Sequence, residues 1–263
     1  MVINKNSILY FSGTGNTYDV SKKVANKCEF ELINISTLRE EKIIEINCDV
    51  IGIACPIYYG GIPKVIRNVV DKIQKIDNKY IFILATYGGM PGNPIKIIDN
   101  SLNSKGMKIS SGFLFKMPGN YIALYDARNK KVQIKNFEKA NKKIDEIANI
   151  INYRKVVSYE KSPYIIDRPF SVFSTKRVEG LSSYDKKFIV DNKCNKCGLC
   201  MKICPVNNIK LKDRVITWDG RCEQCMSCIQ YCPKEAIQVG SKTIYRKRYR
   251  NPNVDYFKVL VQK

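Results

Sequence analysis

"ILYFSGTGNT", residues 8–17, sets a short apolar run directly against hydroxylic residues and two glycines. Ile8, Leu9 and Tyr10 read as a buried strand, and Thr17 opens a segment with helical spacing. A strand that passes through a Gly-bearing loop straight into a helix is the first half of a βαβ unit. Backbone amides from Gly13 through Gly15 to Thr17 could converge on an anion at the helix N-terminus. The Ser12, Thr14 and Thr17 hydroxyls and the Asn16 amide would add donors. The loop lacks a GK[ST] ending and is not GxGxxG, so neither common nucleotide fingerprint applies. Without a Lys, it suits a buried phosphate monoester better than a phosphate in transfer. A capped strand–helix turn would use the same residue types, so the decision falls to other loops.

The same alternation continues downstream. Strands are expected at 7–12, 30–35, 49–54, 80–85 and 108–115, with helices at 17–26, 63–76, 93–102 and 131–152 and a short one at 37–41. In the last long helix Val132, Ile134, Phe137, Ala140, Ile144, Ile147, Ala148 and Ile151 recur at helical spacing. Five strands alternating with helices imply an α/β fold, a doubly wound parallel sheet covered on both faces. Such folds bind ligands beyond the carboxyl ends of their strands. The third strand ends in "CPIYYGGIP", residues 55–63, and the fourth in "TYGGMPG", residues 86–92. Both loops would border the crevice that holds the first. Pro56, Ile57 and Gly60 shape one, and Thr86, Gly88 and Gly89 the other. Tyr58 or Tyr59, with Tyr87, could flank a planar ring while glycines let backbone approach its edge. A segment after the fifth strand, "MPGNY" at 117–121, lies on the same side of the sheet.

Taken together, the three loops resemble those of the flavodoxin family across residues 1–153. That resemblance implies FMN, its phosphate on the first loop and its ring between the other two, on a sheet of order 2-1-3-4-5.

Eleven cysteines need a separate account. Cys194, Cys197, Cys200 and Cys204 recur 28 residues later as Cys222, Cys225, Cys228 and Cys232. A lone CxxC is common to zinc ribbons and thioredoxin-like motifs, whereas CxxCxxCxxxCP occurring twice is specific for iron–sulfur clusters. The fourth thiolate of each run reaches the other cluster. One [4Fe–4S] cluster is therefore expected on Cys194, Cys197, Cys200 and Cys232, the other on Cys222, Cys225, Cys228 and Cys204. Residues 188–240 resemble a bacterial two-[4Fe–4S] ferredoxin, a small α+β domain, including the Pro after each fourth cysteine. Cys28, Cys48 and Cys55 share no ligand spacing and read as small buried hydrophobes. The expected organisation is a domain at 1–155, a linker at 156–186, a ferredoxin domain at 187–245 and a basic tail at 246–263.

The chain has 263 residues, a formal charge of +21 and no His. Absence of His removes His-based acid–base chemistry and Ser–His triads. No secretory h-region follows "MVINKNSILYF", and the longest uncharged stretch, residues 80–95, is broken by Gly and Pro. A cytoplasmic protein without a membrane span is expected. The positive charge is spread along the chain, which suits steering of acidic redox partners rather than nucleic acid. Its one dense cluster is "YRKRYR", residues 245–250.

The whole chain resembles the flavodoxin–ferredoxin fusion proteins of anaerobic bacteria. An electron-transfer flavo-iron–sulfur protein with no acid–base catalytic residue is expected. Two rivals are an FMN-dependent reductase of a small molecule fed by the ferredoxin domain, and a redox-sensing nucleic-acid binder.

Overall fold

Runs of β-branched and aromatic residues alternate with amphipathic segments, and the central runs become strands buried on both sides. The computed structural model describes residues 1–164, 178 and 180–255. In chain order it contains β1 (Val2–Ile3), β2 (Ser7–Tyr10), α1 (Asn16–Cys28), β3 (Glu31–Asn34), β4 (Glu45–Ile46), β5 (Val50–Pro56), α2 (Lys64–Lys72), β6 (Tyr80–Tyr87), α3 (Pro94–Asn103), β7 (Ser111–Lys116) and α4 (Lys130–Asn152). The main sheet runs β3-β2-β5-β6-β7 and every pairing in it is parallel. Counted among its own strands, that order is 2-1-3-4-5, the expected doubly wound arrangement.

Successive residues of each strand feed opposite faces. Leu9, Ile51, Ile53, Ile81 and Ile83 join Val65, Ile66, Val69 and Ile98 under α2 and α3. Ile8, Tyr10, Phe82, Leu84 and Phe113 join Val20, Val24, Phe137, Ile144 and Ile151 under α1 and α4. Two cores on one sheet explain why the strands read as nearly continuous apolar runs. Val132 and Ile134, placed on the apolar face by spacing, are exposed. They occupy the first turns of α4, where the burial of that helix has not yet begun.

Several elements differ from expectation. Short β1 and β4 form a separate parallel pair, too brief for periodicity to reveal. In place of a helix at 37–41, a 3₁₀ turn spans Ile35–Leu38, started by Asn34, whose side chain accepts from Ser36 N at 3.0 Å. The second long helix stops at Lys72, because Ile73 turns extended and bridges Ile44.

After α4 the chain returns along the edge of the sheet. Val157 N donates to Ser110 O and Glu160 N to Gly112 O, while the Glu160 carboxylate accepts from Leu114 N at 2.7 Å and Lys143 Nζ at 2.6 Å. These bonds cover an edge that β7 would otherwise leave open. Part of the expected linker, residues 165–177 and 179, and the end of the basic tail, 256–263, lie outside the described residues.

The cysteine-rich part contains β8 (Phe188–Val190), α5 (Leu199–Ile203), β9 (Ile209–Lys212), β10 (Val215–Trp218), α6 (Ser227–Tyr231) and β11 (Ile237–Val239). It holds two small antiparallel pairs, β9 with β10 and β8 with β11. Its core gathers Phe188, Ile209, Ile216, Ile229, Ile237 and Val239. Among the described residues no helix is long and apolar enough to cross a membrane.

Gly52 of β5 lies opposite Phe82 of β6, and a Cβ there would sit 2.4 Å from the Phe82 ring. Gly52→Ala is expected to overpack this face and destabilise the protein by about 1–3 kcal/mol, read as a lower urea midpoint. An unchanged midpoint would show that the ring can move aside at no cost.

Candidate functional site

The loops at the carboxyl ends of β2, β5, β6 and β7 enclose a crevice of about 400 Å³. Every residue expected to bind the cofactor lines it except Gly15. Gly15 instead adopts φ +100° at the start of α1 and faces away from the crevice: a Cβ there would be 2.9 Å from Asn251 Cβ. No side chain caps α1 at that residue, so the first amides of the helix keep their donor capacity for an anion.

Side-chain hydrogen bonds tie the loops together. The Thr17 and Thr86 hydroxyls share a bond of 2.8 Å, Asn120 Nδ2 donates to Thr14 Oγ1 at 2.9 Å, and Asn16 Nδ2 donates to Pro118 O at 2.8 Å. After β5, Tyr58 and Gly61 exchange backbone bonds of 3.0 and 2.9 Å around a turn in which Tyr59 and Gly60 both have positive φ. That turn drives the Tyr58 side chain into the core and leaves Tyr59 partly exposed on the crevice. Of the two residues considered for flanking a ring, Tyr59 therefore has the accessible face, with Tyr87 also half-buried on the crevice wall. The Tyr59 ring meets Tyr121 edge-on at 5.4 Å. Burial, with Tyr59 beside it, pushes the Tyr121 phenol well above its ordinary pKa, so it remains a neutral hydroxyl.

The "MPGNY" segment does line the crevice, from Met117 to Tyr121. Sequence reasoning missed Met90, Leu124, Tyr125 and Gln224. Met90 and Leu124 form an exposed apolar rim, 60% and 68% accessible. Gln224 reaches the crevice from the cysteine-rich part, more than a hundred residues after Tyr121, whose hydroxyl it meets at 3.5 Å.

The repeated cysteines surround two cavities. Cys204, Cys222, Cys225 and Cys228 line one, and Cys194, Cys197, Cys200 and Cys232 line the other. Each thus gathers three cysteines of one run and the fourth of the other. Among the described residues no three His, Cys, Asp or Glu side chains are grouped to hold a single metal ion. Backbone amides of Asn208 and Ala236 donate to Cys204 Sγ at 3.2 Å and Cys232 Sγ at 3.3 Å. Burial pushes the Cys225 thiol up to about 11, with Cys204 adding to it. Burial likewise takes Cys200 to about 11, with the neighbouring Cys194, Cys232 and Cys197 adding to the rise. Burial thus favours the neutral thiols, so a group taking thiolate ligands here would have to displace protons. Cys48 and Cys55 are buried in the sheet core and Cys28 is half-buried; burial alone pushes the Cys55 thiol up to about 12.

The first cavity abuts the crevice. A Cβ on Gly13 would meet Cys225 O at 2.5 Å, and Ser227 Oγ donates to Gly13 O at 2.7 Å. Ile203 and Tyr231 join the core under α1, and Cys225 joins the core under α2. The Glu223 carboxylate accepts from Lys64 N at 2.9 Å and Val65 N at 3.0 Å, so it caps α2, whose own Pro63 supplies no side-chain bond. Burial pushes its carboxyl up to about 7 against the pull of those two amides. In contrast, Cys197 at the second cavity is exposed. The three arginines of the "YRKRYR" cluster are hydrogen-bonded within the chain. Arg246 donates to Ile122 O, Arg248 to Ile237 O and Gln238 Oε1, and Arg250 to Gln230 O.

Residues 7–111 match the family model of the flavodoxin domain, and residues 193–246 that of the 4Fe-4S dicluster domain. A search of curated proteins finds no match. Among solved structures, a flavoprotein from Bacteroides uniformis is 20% identical over 43% of this chain and 91% of that one, with a TM-score of 0.32. The flavodoxin of Megasphaera elsdenii is 15% identical over 43% of this chain and 85% of its own, with a TM-score of 0.30. Rubredoxin oxygen:oxidoreductase from Desulfovibrio gigas is 13% identical over 57% of this chain, but only 37% of that enzyme is covered; its TM-score is 0.35.

Removing the cap that Glu223 lends to α2 should loosen the contact between the two parts. Glu223→Ala is expected to cost about 1 kcal/mol and to speed amide hydrogen exchange at Lys64 and Val65 while leaving α3 unchanged. Unaltered exchange at those two amides would show that the cap adds nothing.

Proposed function

We propose that this chain, a flavodoxin domain followed by a 4Fe-4S dicluster domain, relays electrons between FMN and two [4Fe–4S] clusters and exchanges them with redox partners. The single observation that carries the reading is the junction at Gly13, where the cysteine-lined cavity nearest the crevice meets the crevice wall. FMN exchanges electrons singly or in pairs and each cluster exchanges one, so their combination couples the two kinds of donor and acceptor.

The residues present fit these groups. The uncapped start of α1 and the Ser12, Thr14 and Thr17 hydroxyls suit a phosphate, while Tyr59 and Tyr87 suit the two sides of a planar ring. Pro56, Ile57, Gly60, Gly88 and Gly89 complete the walls. Cys204, Cys222, Cys225 and Cys228 would hold the inner cluster, and Cys194, Cys197, Cys200 and Cys232 the outer one. Their sulfurs, approached by backbone amides, offer the thiolate set that such clusters take. Lys196 and Lys234 line the outer cavity and are exposed, with Lys193 exposed beside them. Positive charge around the more accessible cluster favours an acidic protein as the external partner.

Because each cluster takes one cysteine from the other run, Cys204→Ser should damage the cluster held by Cys222, Cys225 and Cys228. Cys232→Ser should damage the one held by Cys194, Cys197 and Cys200. EPR that resolves the two clusters in each variant decides this; loss confined to the mutated run's own cluster would overturn the crossed assignment. Rapid reduction of the clusters should be followed by flavin reduction at a rate independent of protein concentration. A rate rising in proportion to concentration would mean that electrons pass only between molecules, and the relay reading would fail.

A further inference from the structure

The loop from Ser12 to Thr17 has one side on the crevice and another covered by residues from the far end of the chain. Ser227 Oγ donates to Gly13 O at 2.7 Å, and Asn251 N donates to Thr14 O at 2.9 Å. The Asn16 side-chain carbonyl accepts from Tyr249 OH at 2.6 Å and from Asn251 Nδ2 at 3.2 Å, while its amide donates to Pro118 O. Asn251 Nδ2 also lies 3.4 Å from Asp19 Oδ2 on the first turn of α1. Ser227, Tyr249 and Asn251 are each at most 2% accessible, so these bonds are shielded from competing water. Gly15 faces this covering segment closely, since a Cβ there would lie 2.9 Å from Asn251 Cβ and 3.5 Å from Val254 Cβ.

A planar trans peptide points its N–H opposite to its C=O. Fixing Gly13 O and Thr14 O toward the C-terminal segment therefore turns the amides of Thr14 and Gly15 the other way, away from that segment. We propose that Ser227, Tyr249 and Asn251 are positioning residues for the flavin phosphate: they hold the loop from behind and aim its amides at the anion. The inference rests on reading the crevice as an FMN site, and it assigns part of that site's anion affinity to residues outside the flavodoxin domain.

Riboflavin, which lacks the phosphate, separates this role from general structural support. Fluorescence-quenching titrations with FMN and with riboflavin should be run on the full-length, cluster-loaded protein and on Asn251→Ala and Tyr249→Phe, with iron content measured alongside. Wild-type protein should prefer FMN. Each variant should lose FMN affinity, roughly tenfold for Asn251→Ala, the size expected for buried hydrogen bonds. Riboflavin affinity should stay unchanged. Tyr249→Phe deletes one hydroxyl and keeps the ring, so it tests the point without disturbing the packing. Equal losses for both flavins, or an FMN preference unchanged in both variants, would overturn the positioning role. A wild-type protein that binds the two flavins equally would instead overturn the phosphate reading on which the proposal stands.

Discussion

The carbonyl of Cys225 lies where a side chain on residue 13 would begin, 2.5 Å from the place of a Cβ. Any residue but glycine would push the two parts of the molecule apart at this point. The remaining contacts surround it: Ser227 on the Gly13 carbonyl, Gln230 Nε2 on Asn120 O at 2.7 Å, Glu223 on the start of α2, and Arg39 on Pro205 O. A backbone-to-backbone approach of this kind lets the inner cysteines share a wall with the crevice instead of being separated by a layer of side chains. Electron transfer weakens steeply with distance, so the spacing fixed at Gly13 matters to everything the two sites do together.

That constraint also changes the meaning of the positive charge. A net +21 and a tail reading "YRKRYR" suggest an electrostatic footprint on the sequence alone. In the fold, three of those arginines are hydrogen-bonded to carbonyl oxygens, and Arg250 also lies 5.1 Å over the Tyr231 ring. Such arginines act as fixed donors that pin the tail to the cysteine-rich part and, through Arg246, to Ile122 in the segment after β7. Lys196 and Lys234, by contrast, stay exposed beside the cavity that Cys197 lines.

What could be read from sequence follows from range. The parallel sheet rests on alternation and on strand–loop–helix signals, which are local, its strand order on the resemblance carried by three loops, and the cysteine runs carry their spacing within a dozen residues. The crevice walls were legible for the same reason, because each loop follows its own strand. Gln224, Asn251 and the cap from Glu223 were not legible, since each acts on a residue far away in the chain. Gly15 misled in an instructive way. It was expected on the anion side with the rest of its loop, yet the side where a Cβ would sit is filled by Asn251 and Val254. Tyr58 and Tyr59 could be separated only once the positive φ of Tyr59 showed which ring turns inward. Cys55, adjacent to the crevice loop in sequence, is a buried core residue because β5 alternates its side chains across the sheet.

The return of Asn251 to Asn16 and Asp19 also bears on the order in which this protein is made. Those partners are separated by 235 and 232 positions, nearly the full length of the chain. Closing so long a loop comes late in folding, after the local parts of the sheet have formed. During synthesis the first loop and its strand emerge well before the residue that seats them from behind. The loop from Ser12 to Thr17 therefore acquires its final support only when the cysteine-rich part has folded against it, which ties completion of the first site to assembly of the second.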